Sequence, residues 1–223
     1  MTLNETLRSV FAPPHPAGRP FIIGSAVLAV LGAVVSVWLL LAGLLLLAFC
    51  FYFFRDPERV APSRPGVLVA PADGHVVSVM EVAPPEALGL GSAPRWRVAT
   101  FLSVLDVHVN RAPADGVVTR VAYRAGAFVN ASMDKASELN EQNALAIRLT
   151  DGRDIAVVQI AGLIARRIVC QVKEGSLVTR GGRFGIIRFG SRTDLYLPVG
   201  VRPLVEVGQT MVGAETVIAV LPP

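Results

Sequence analysis

The chain has 223 residues, 21 Lys and Arg against 17 Asp and Glu, and a formal net charge of +4. Its length holds one soluble domain of ordinary size plus one further element, and its mean hydropathy of +0.54 is high for a soluble protein. The arginines are scattered, with no basic stripe interleaved with aromatics; this argues against a nucleic-acid partner and for an anionic lipid surface.

Residues 1–20 are polar and proline-rich (Pro13, Pro14, Pro16, Pro20) and read as a short, poorly ordered lead-in. Residues 21–54 contain no Asp, Glu, Lys or Arg. At about 20 residues per crossing, this stretch is longer than one span needs. A single straight helix would reach about 50 Å at 1.5 Å per residue, well past a ~30 Å hydrocarbon core. The alternative is a helical hairpin bending near Gly32–Val37. Arg8 and Arg19 precede the segment, and Arg55, Arg59 and Arg64 follow it. Positive charge at both ends favours a re-entrant hairpin with both ends cytoplasmic, which places the protein at the cell membrane with its soluble part on the cytoplasmic side. Cys50 lies inside this segment and Cys170 in a strand-like run. Two such cysteines do not make a disulfide framework, and a reducing compartment fits them.

From Val67 onward the pattern is β, so residues 55–223 form a mainly β domain with one or two short helices. Runs rich in Val and Ile alternate with Gly, Pro and Asp turns: Val76–Val79, Arg97–Leu102, Val117–Tyr123, Ala144–Leu149, Ile155–Ile160 and Ile168–Val172. Residues 83–95 read as a flexible surface loop, and residues 132–140 as a helix. Ala70-Pro71-Ala72-Asp73-Gly74 returns as Ala112-Pro113-Ala114-Asp115-Gly116. A weaker echo links Val172-Lys173-Glu174-Gly175 with Val205-Glu206-Val207-Gly208. Such repeated strand-turn units suggest a pseudo-symmetric β barrel or sandwich. The last stretch has the look of a biotinyl or lipoyl carrier but lacks the lysine on which such carriers hang their cofactor.

Of the three histidines, His15 lies in the lead-in, His75 follows an Asp-Gly turn, and His108 sits in a strand flanked by polar groups. No His, Cys, Asp and Glu cluster has metal-ligand spacing, so no metal is expected. A hydrophobic run beginning at Arg183 stops at Gly190-Ser191, and a second strand-like run follows from Thr193 to Leu197. Alone, that pair reads as a bulge or tight turn. Asp73, His108 and Ser191 are nonetheless the residue types that an orienter, a base and a nucleophile require. Asp115 precedes glycine in the same way as Asp73 and is assigned only a turn.

Six blocks in order carry a family resemblance: Phe53-Phe54-Arg55-Asp56-Pro57-Glu58-Arg59; Pro71-Ala72-Asp73-Gly74; Phe101-Leu102-Ser103 with Asp106-Val107-His108-Val109-Asn110-Arg111; Gly126-Ala127-Phe128-Val129-Asn130-Ala131 with Lys135-Ala136-Ser137 and Asn140-Glu141; Ala165-Arg166-Arg167-Ile168; and Arg183-Phe184-Gly185 with Phe189-Gly190-Ser191. Together they resemble the phosphatidylserine decarboxylase family in its short bacterial or archaeal form. The resemblance implies a proenzyme in which Ser191 attacks the Gly190 carbonyl. The chain would part into residues 1–190 and 191–223, which stay associated, and Ser191 would become a pyruvoyl group. That group would form a Schiff base with the amine of phosphatidylserine and act as electron sink for CO₂ release, giving phosphatidylethanolamine. His108 would serve as base and later as proton donor, with Asp73 fixing its tautomer. Phe54 and Arg55 at the interface, with Phe128, Asn130 and Lys135, would hold the substrate.

The chain departs from the longer branch of that family. Arg192 follows the serine where that branch has Ser or Thr, and Arg111 stands where it has a second histidine. Either His108 fills both proton roles, or water or Arg111 assists. A related ether-type serine phospholipid is an alternative substrate, and a membrane-anchored β-barrel binding module is the non-enzymatic alternative. Self-association into a homo-oligomer is left open.

Overall fold

A computed structural model of the chain describes residues 12–126, 140–162, 167–188 and 191–222. The chain divides into two compact units, residues 1–58 and 59–223.

The first unit is a helical hairpin. Helix α1 (Arg19–Val35) and helix α2 (Val37–Phe53) are separated by Ser36, which is extended (φ −163°, ψ 142°) and whose hydroxyl accepts the Trp38 N–H at 3.2 Å. Glycine lets the arms close: a Cβ on Gly43 would fall 2.5 Å from Ala29 Cα. Pro13, Pro14 and His15 are ordered and pair with the chain leaving α2, through His15 N–H to Phe54 O (2.7 Å) and Asp56 N–H to Pro13 O (3.0 Å). Both ends of the hairpin are therefore held together. Pro16–Val35 is long and apolar enough to cross a membrane, and Val34, Val35, Trp38 and Leu45 stand outward and exposed.

The second unit is the mainly β domain that the alternating pattern predicts. Its largest sheet has eight strands in the order β12-β2-β3-β11-β7-β6-β5-β9. These are β2 (Gly74–Val82), β3 (Arg95–Leu102), β5 (Gly116–Arg124), β6 (Gln142–Leu149), β7 (Asp154–Ala161), β9 (Leu177–Val178), β11 (Ser191–Tyr196) and β12 (Thr210–Met211). A three-stranded sheet joins β4 (Val109–Arg111), β10 (Arg183–Ile187) and β8 (Ile168–Cys170), and β1 (Val67–Val69) pairs with β13 (Val217–Val220). Every pairing is antiparallel.

The sequence repeat is a structural one. Val76 N–H donates to Gln209 O while Gly208 N–H donates to Val76 O; Val118 stands in the same relation to Ser176 and Gly175. Both β2 and β5 carry a bulge just after these residues, between Val76 and Ser78 and between Val118 and Arg120. The two copies also cross-link, since Val69 N–H donates to Pro113 O and Arg111 N–H to Pro71 O.

One face of the large sheet builds the main core, with Val98, Leu145, Ile147, Val157 and Leu195. The opposite face of the same central strands builds a smaller one from Ala144, Ala146, Val158, Ile160 and Tyr196. Burial on both faces explains why β6 and β7 read as nearly continuous apolar runs. The connection 83–95, expected to be a loose surface loop, is instead pinned. Its single helical turn (Glu86–Leu88) drives Leu88 into the smaller core, and Arg95 donates to Asp154 O and Leu90 O. The helix expected over 132–140 falls almost wholly outside the described residues.

Candidate active site

Ser191 opens β11, the strand at the middle of the large sheet. It pairs with Leu102 of β3 on one side and Ala161 of β7 on the other. Strand alternation puts its side chain on the same face as Thr193 and Leu195, the main-core face. The residue is fully buried, and its Oγ has no hydrogen-bond partner among the described residues. Leaving a buried hydroxyl unpaired costs about 1–3 kcal/mol, and such a group calls for an explanation. Gly190, the other half of the expected scission site, lies outside the described residues.

His108 precedes β4 and is also fully buried. Its carbonyl accepts the Ile187 N–H at 3.3 Å, which fixes it beside the end of β10, four residues ahead of Ser191. The Nδ1 atom lies 2.9 Å from Asp106 O. A carbonyl oxygen only accepts, so Nδ1 carries the proton in this contact and the neutral ring keeps its basic lone pair on Nε2. A tight turn presents that carbonyl: Asp106 N–H donates to Ser103 O (3.0 Å), and Ser103 N–H donates to Asp106 Oδ2 (2.7 Å).

A buried polar chain ties the two strands together. Asn143 Nδ2 donates to Gln159 Oε1 (2.9 Å), Gln159 Nε2 to Asn110 Oδ1 (2.7 Å), and Asn110 Nδ2 to Thr193 Oγ1 (3.5 Å). Asn110 is two residues from His108 and Thr193 two residues from Ser191, so a contact observed at one step of each strand joins the layers that carry His108 and Ser191. Gly185 leaves room for this chain; a Cβ there would lie 2.5 Å from Val169 O and 3.0 Å from Gln159 Nε2. The sequence pattern alone gives none of these amides a role. Their signal is a polar letter in an apolar run, as Gln159 between Val158 and Ile160.

Asp73 stands at the same end of the sheet. Gly74, with φ +137°, passes so close to Phe101 that no side chain fits, and His75 pairs with Phe101, next to the Leu102 that faces Ser191. Asp73 Oδ1 accepts the Gly213 N–H (2.8 Å) and Oδ2 accepts from Arg59 (2.7 Å). Arg111 is buried and donates to Gly181 O at 3.1 Å. The strand register thus puts Asp73 and Ser191 at one end of the large sheet, with His108 beside the end of β10 and its Nδ1 against a peptide carbonyl.

On the opposite face of β11 lies a buried charged cluster. Arg192 and Asp194 are 0% and 1% exposed, and Arg97 of β3 is 6% exposed. Burial, and next the Asp194 carboxylate, push the Tyr196 phenol above its ordinary range.

Of the residues expected to bind substrate, Phe54 and Arg55 lie in the first unit. In the hairpin unit, Phe54 is fully buried and stacks on Phe21 with centroids 5.3 Å apart. Arg55 lies over the Tyr52 ring at 3.9 Å and donates to Tyr52 O. Phe128, Asn130 and Lys135 lie outside the described residues.

Residues 46–219 match the family model described as phosphatidylserine decarboxylase. The chain belongs to that family. It is 65% identical to the phosphatidylserine decarboxylase proenzyme of Granulibacter bethesdensis, over all of this chain and 91% of the relative. It is 63% identical to the proenzyme of Gluconacetobacter diazotrophicus (98% of this chain, 99% of the relative) and 58% identical to that of Gluconobacter oxydans (99% and 100%). Membership makes the protein a decarboxylase. The resemblance first seen in six short blocks therefore extends over the whole chain.

Proposed function

We propose that the protein removes CO₂ from phosphatidylserine to give phosphatidylethanolamine, using a pyruvoyl group that it makes from Ser191. The observation that carries the site assignment is the buried Ser191 hydroxyl at the head of the central strand, unpartnered among the described residues. The relatives' name, proenzyme, supports a maturation step.

In that step His108 Nε2 takes the proton of Ser191 Oγ, which attacks the Gly190 carbonyl. The amide becomes an ester. Elimination leaves Gly190 with a carboxylate and residue 191 as dehydroalanine; water then replaces the amine, releasing ammonia and leaving a ketone. Once formed, the pyruvoyl group would supply an electron sink for the pair left when CO₂ departs. His108, already desolvated, is suited to return a proton to that carbon. Asp73 keeps negative charge in the region as His108 becomes cationic, while the Asp106 carbonyl fixes the ring.

After scission the two chains stay together. The small chain would supply β11 between β3 and β7, β12 against β2, and β13 against β1, so it is hydrogen-bonded into the large chain along three strands. The apolar hairpin holds the enzyme at a cytoplasmic membrane surface, where a substrate with two acyl chains resides, and Phe54 and Arg55 close its base.

Denaturing electrophoresis with mass analysis tests this reading. Two chains are expected, residues 1–190 and a blocked 191–223, together with CO₂ release from phosphatidylserine in detergent micelles. A single intact chain of unmodified mass would overturn the maturation step, and so would scission persisting in Ser191→Ala.

A further inference from the structure

Arg192, the residue after Ser191, has the largest fully buried side chain among the described residues. Its Nε donates to Asp194 Oδ1 at 2.6 Å and its Nη2 to Asp194 Oδ2 at 2.9 Å, a two-pronged fork. Arg97, one strand away, has its Nε 3.8 Å from Asp194 Oδ2 and donates to Ser78 Oγ (3.3 Å). The cluster spans β2, β3 and β11 on the side of the sheet away from the Ser191 side chain.

Packing alone does not account for it. Burying two charges costs about as much as their attraction returns, so apolar side chains of equal volume would serve stability as well. What the fork supplies is position. A one-residue slip of β11 would turn Arg192 onto the main-core face, and a slip along β3 would part Asp194 from Arg97. The fork also lies wholly downstream of Ser191, and its brace, Arg97, is on a different strand. Breaking the chain before Ser191 leaves all of it in place.

We propose that the Arg192–Asp194 fork, braced by Arg97, anchors the new chain start once the Gly190–Ser191 bond is cut. This rests on the self-cleavage reading above. In the intact chain, β11 is held by covalent continuity on both sides of Ser191. After scission residue 191 is a chain end without an N–H, and chain ends fray. A displacement of about 1 Å at a reacting carbonyl can cost ~100-fold in rate. Arg192 is thus a positioning residue, holding in register the strand whose first residue does the chemistry.

The test compares cleaved and uncleaved protein. Arg192→Lys keeps the charge but not the fork, and Arg192→Met with Asp194→Leu and Arg97→Met removes the whole cluster, so that no buried charge is left without its partner. Each is made alone and also together with Ser191→Ala, which keeps the chain whole. Amide hydrogen exchange over residues 192–196 should rise at least tenfold in the cleaved variants and by less than twofold in the uncleaved ones. The cleaved variants should keep a melting temperature near that of the parent, with kcat down about tenfold and KM within twofold. Equal exchange in both backgrounds would overturn the anchor while leaving the self-cleavage reading intact. An uncleaved parent chain would overturn that reading first, and the anchor with it.

Discussion

Asp73 and Asp115 hold equivalent positions in the two copies of one repeated unit. Asp73 Oδ1 accepts the Gly213 N–H at 2.8 Å, and Asp115 Oδ1 accepts the Arg180 N–H at 2.9 Å. The copies differ in charge: Asp73 Oδ2 also takes the Arg59 guanidinium at 2.7 Å, with both side chains less than a fifth exposed. One aspartate is a turn residue, and the other is a turn residue with a cationic partner at the end of the sheet where Ser191 lies.

Asparagine separates those duties, because its carbonyl still accepts the backbone N–H. Asp115→Asn should mature within about twofold of the parent rate. Asp73→Asn should mature at least tenfold more slowly, since the negative charge that offsets a cationic His108 is gone. Pulse-labelled precursor followed by electrophoresis reads both. Equal rates for the two variants would reduce Asp73 to its turn.

The His108 contact gives a second prediction. His108→Ala should accumulate uncut precursor. Asp106→Ala keeps the carbonyl that binds Nδ1 but loses the carboxylate that caps Ser103 N–H. One hydrogen bond of about 1 kcal/mol holds that turn, so maturation should slow about fivefold and remain complete. A block as severe as that in His108→Ala would mean that the carboxylate itself takes part.

How much of this was legible in the sequence depends on the range of the interactions. The strands from Val76 to Ile168 were legible because alternation and Asp-Gly turns are local, and the repeat because both copies keep the same hydrogen-bonding duty at Val76 and Val118. The buried amides were not. Gln159 meets Asn110 across two sheets, a contact that no local pattern encodes. Leu88 was missed for a similar reason: a connection rich in Pro and Gly looks loose until the core it covers is known. Ser191 and His108 were singled out through the family blocks. The fixing of His108 by a main-chain carbonyl was not, because every residue has one.

Tyr196 sets a limit at high pH. Burial, with Asp194 beside it, raises its phenol above the ordinary value of 10.0. Near pH 10 the unfolded chain loses this proton while the folded chain keeps it, so the unfolded state binds fewer protons and stability falls as pH rises further. Between about pH 9.5 and 11, Tyr196→Phe should lose less of its denaturant midpoint than the parent does. Parallel loss in both would remove Tyr196 as the cause.

The hairpin yields a prediction of topology. Each arm has 17 residues, or about 25 Å at 1.5 Å per residue, against a hydrocarbon core of ~30 Å. The arms meet closely at Gly43 and Ala29, and the strand-like pairing of Pro13–His15 with Phe54–Asp56 keeps both ends together. On the proposed membrane placement, Ser36 at the tip is expected to stop short of the far headgroups, with both ends on one side. In a background with Cys50 and Cys170 replaced, a cysteine at position 36 should resist a water-soluble maleimide from either face of sealed vesicles. Cysteines at positions 12 and 58 should react from the same face as one another. Labelling of positions 12 and 58 from opposite faces would require a single crossing and would break the pairing that joins His15 to Phe54.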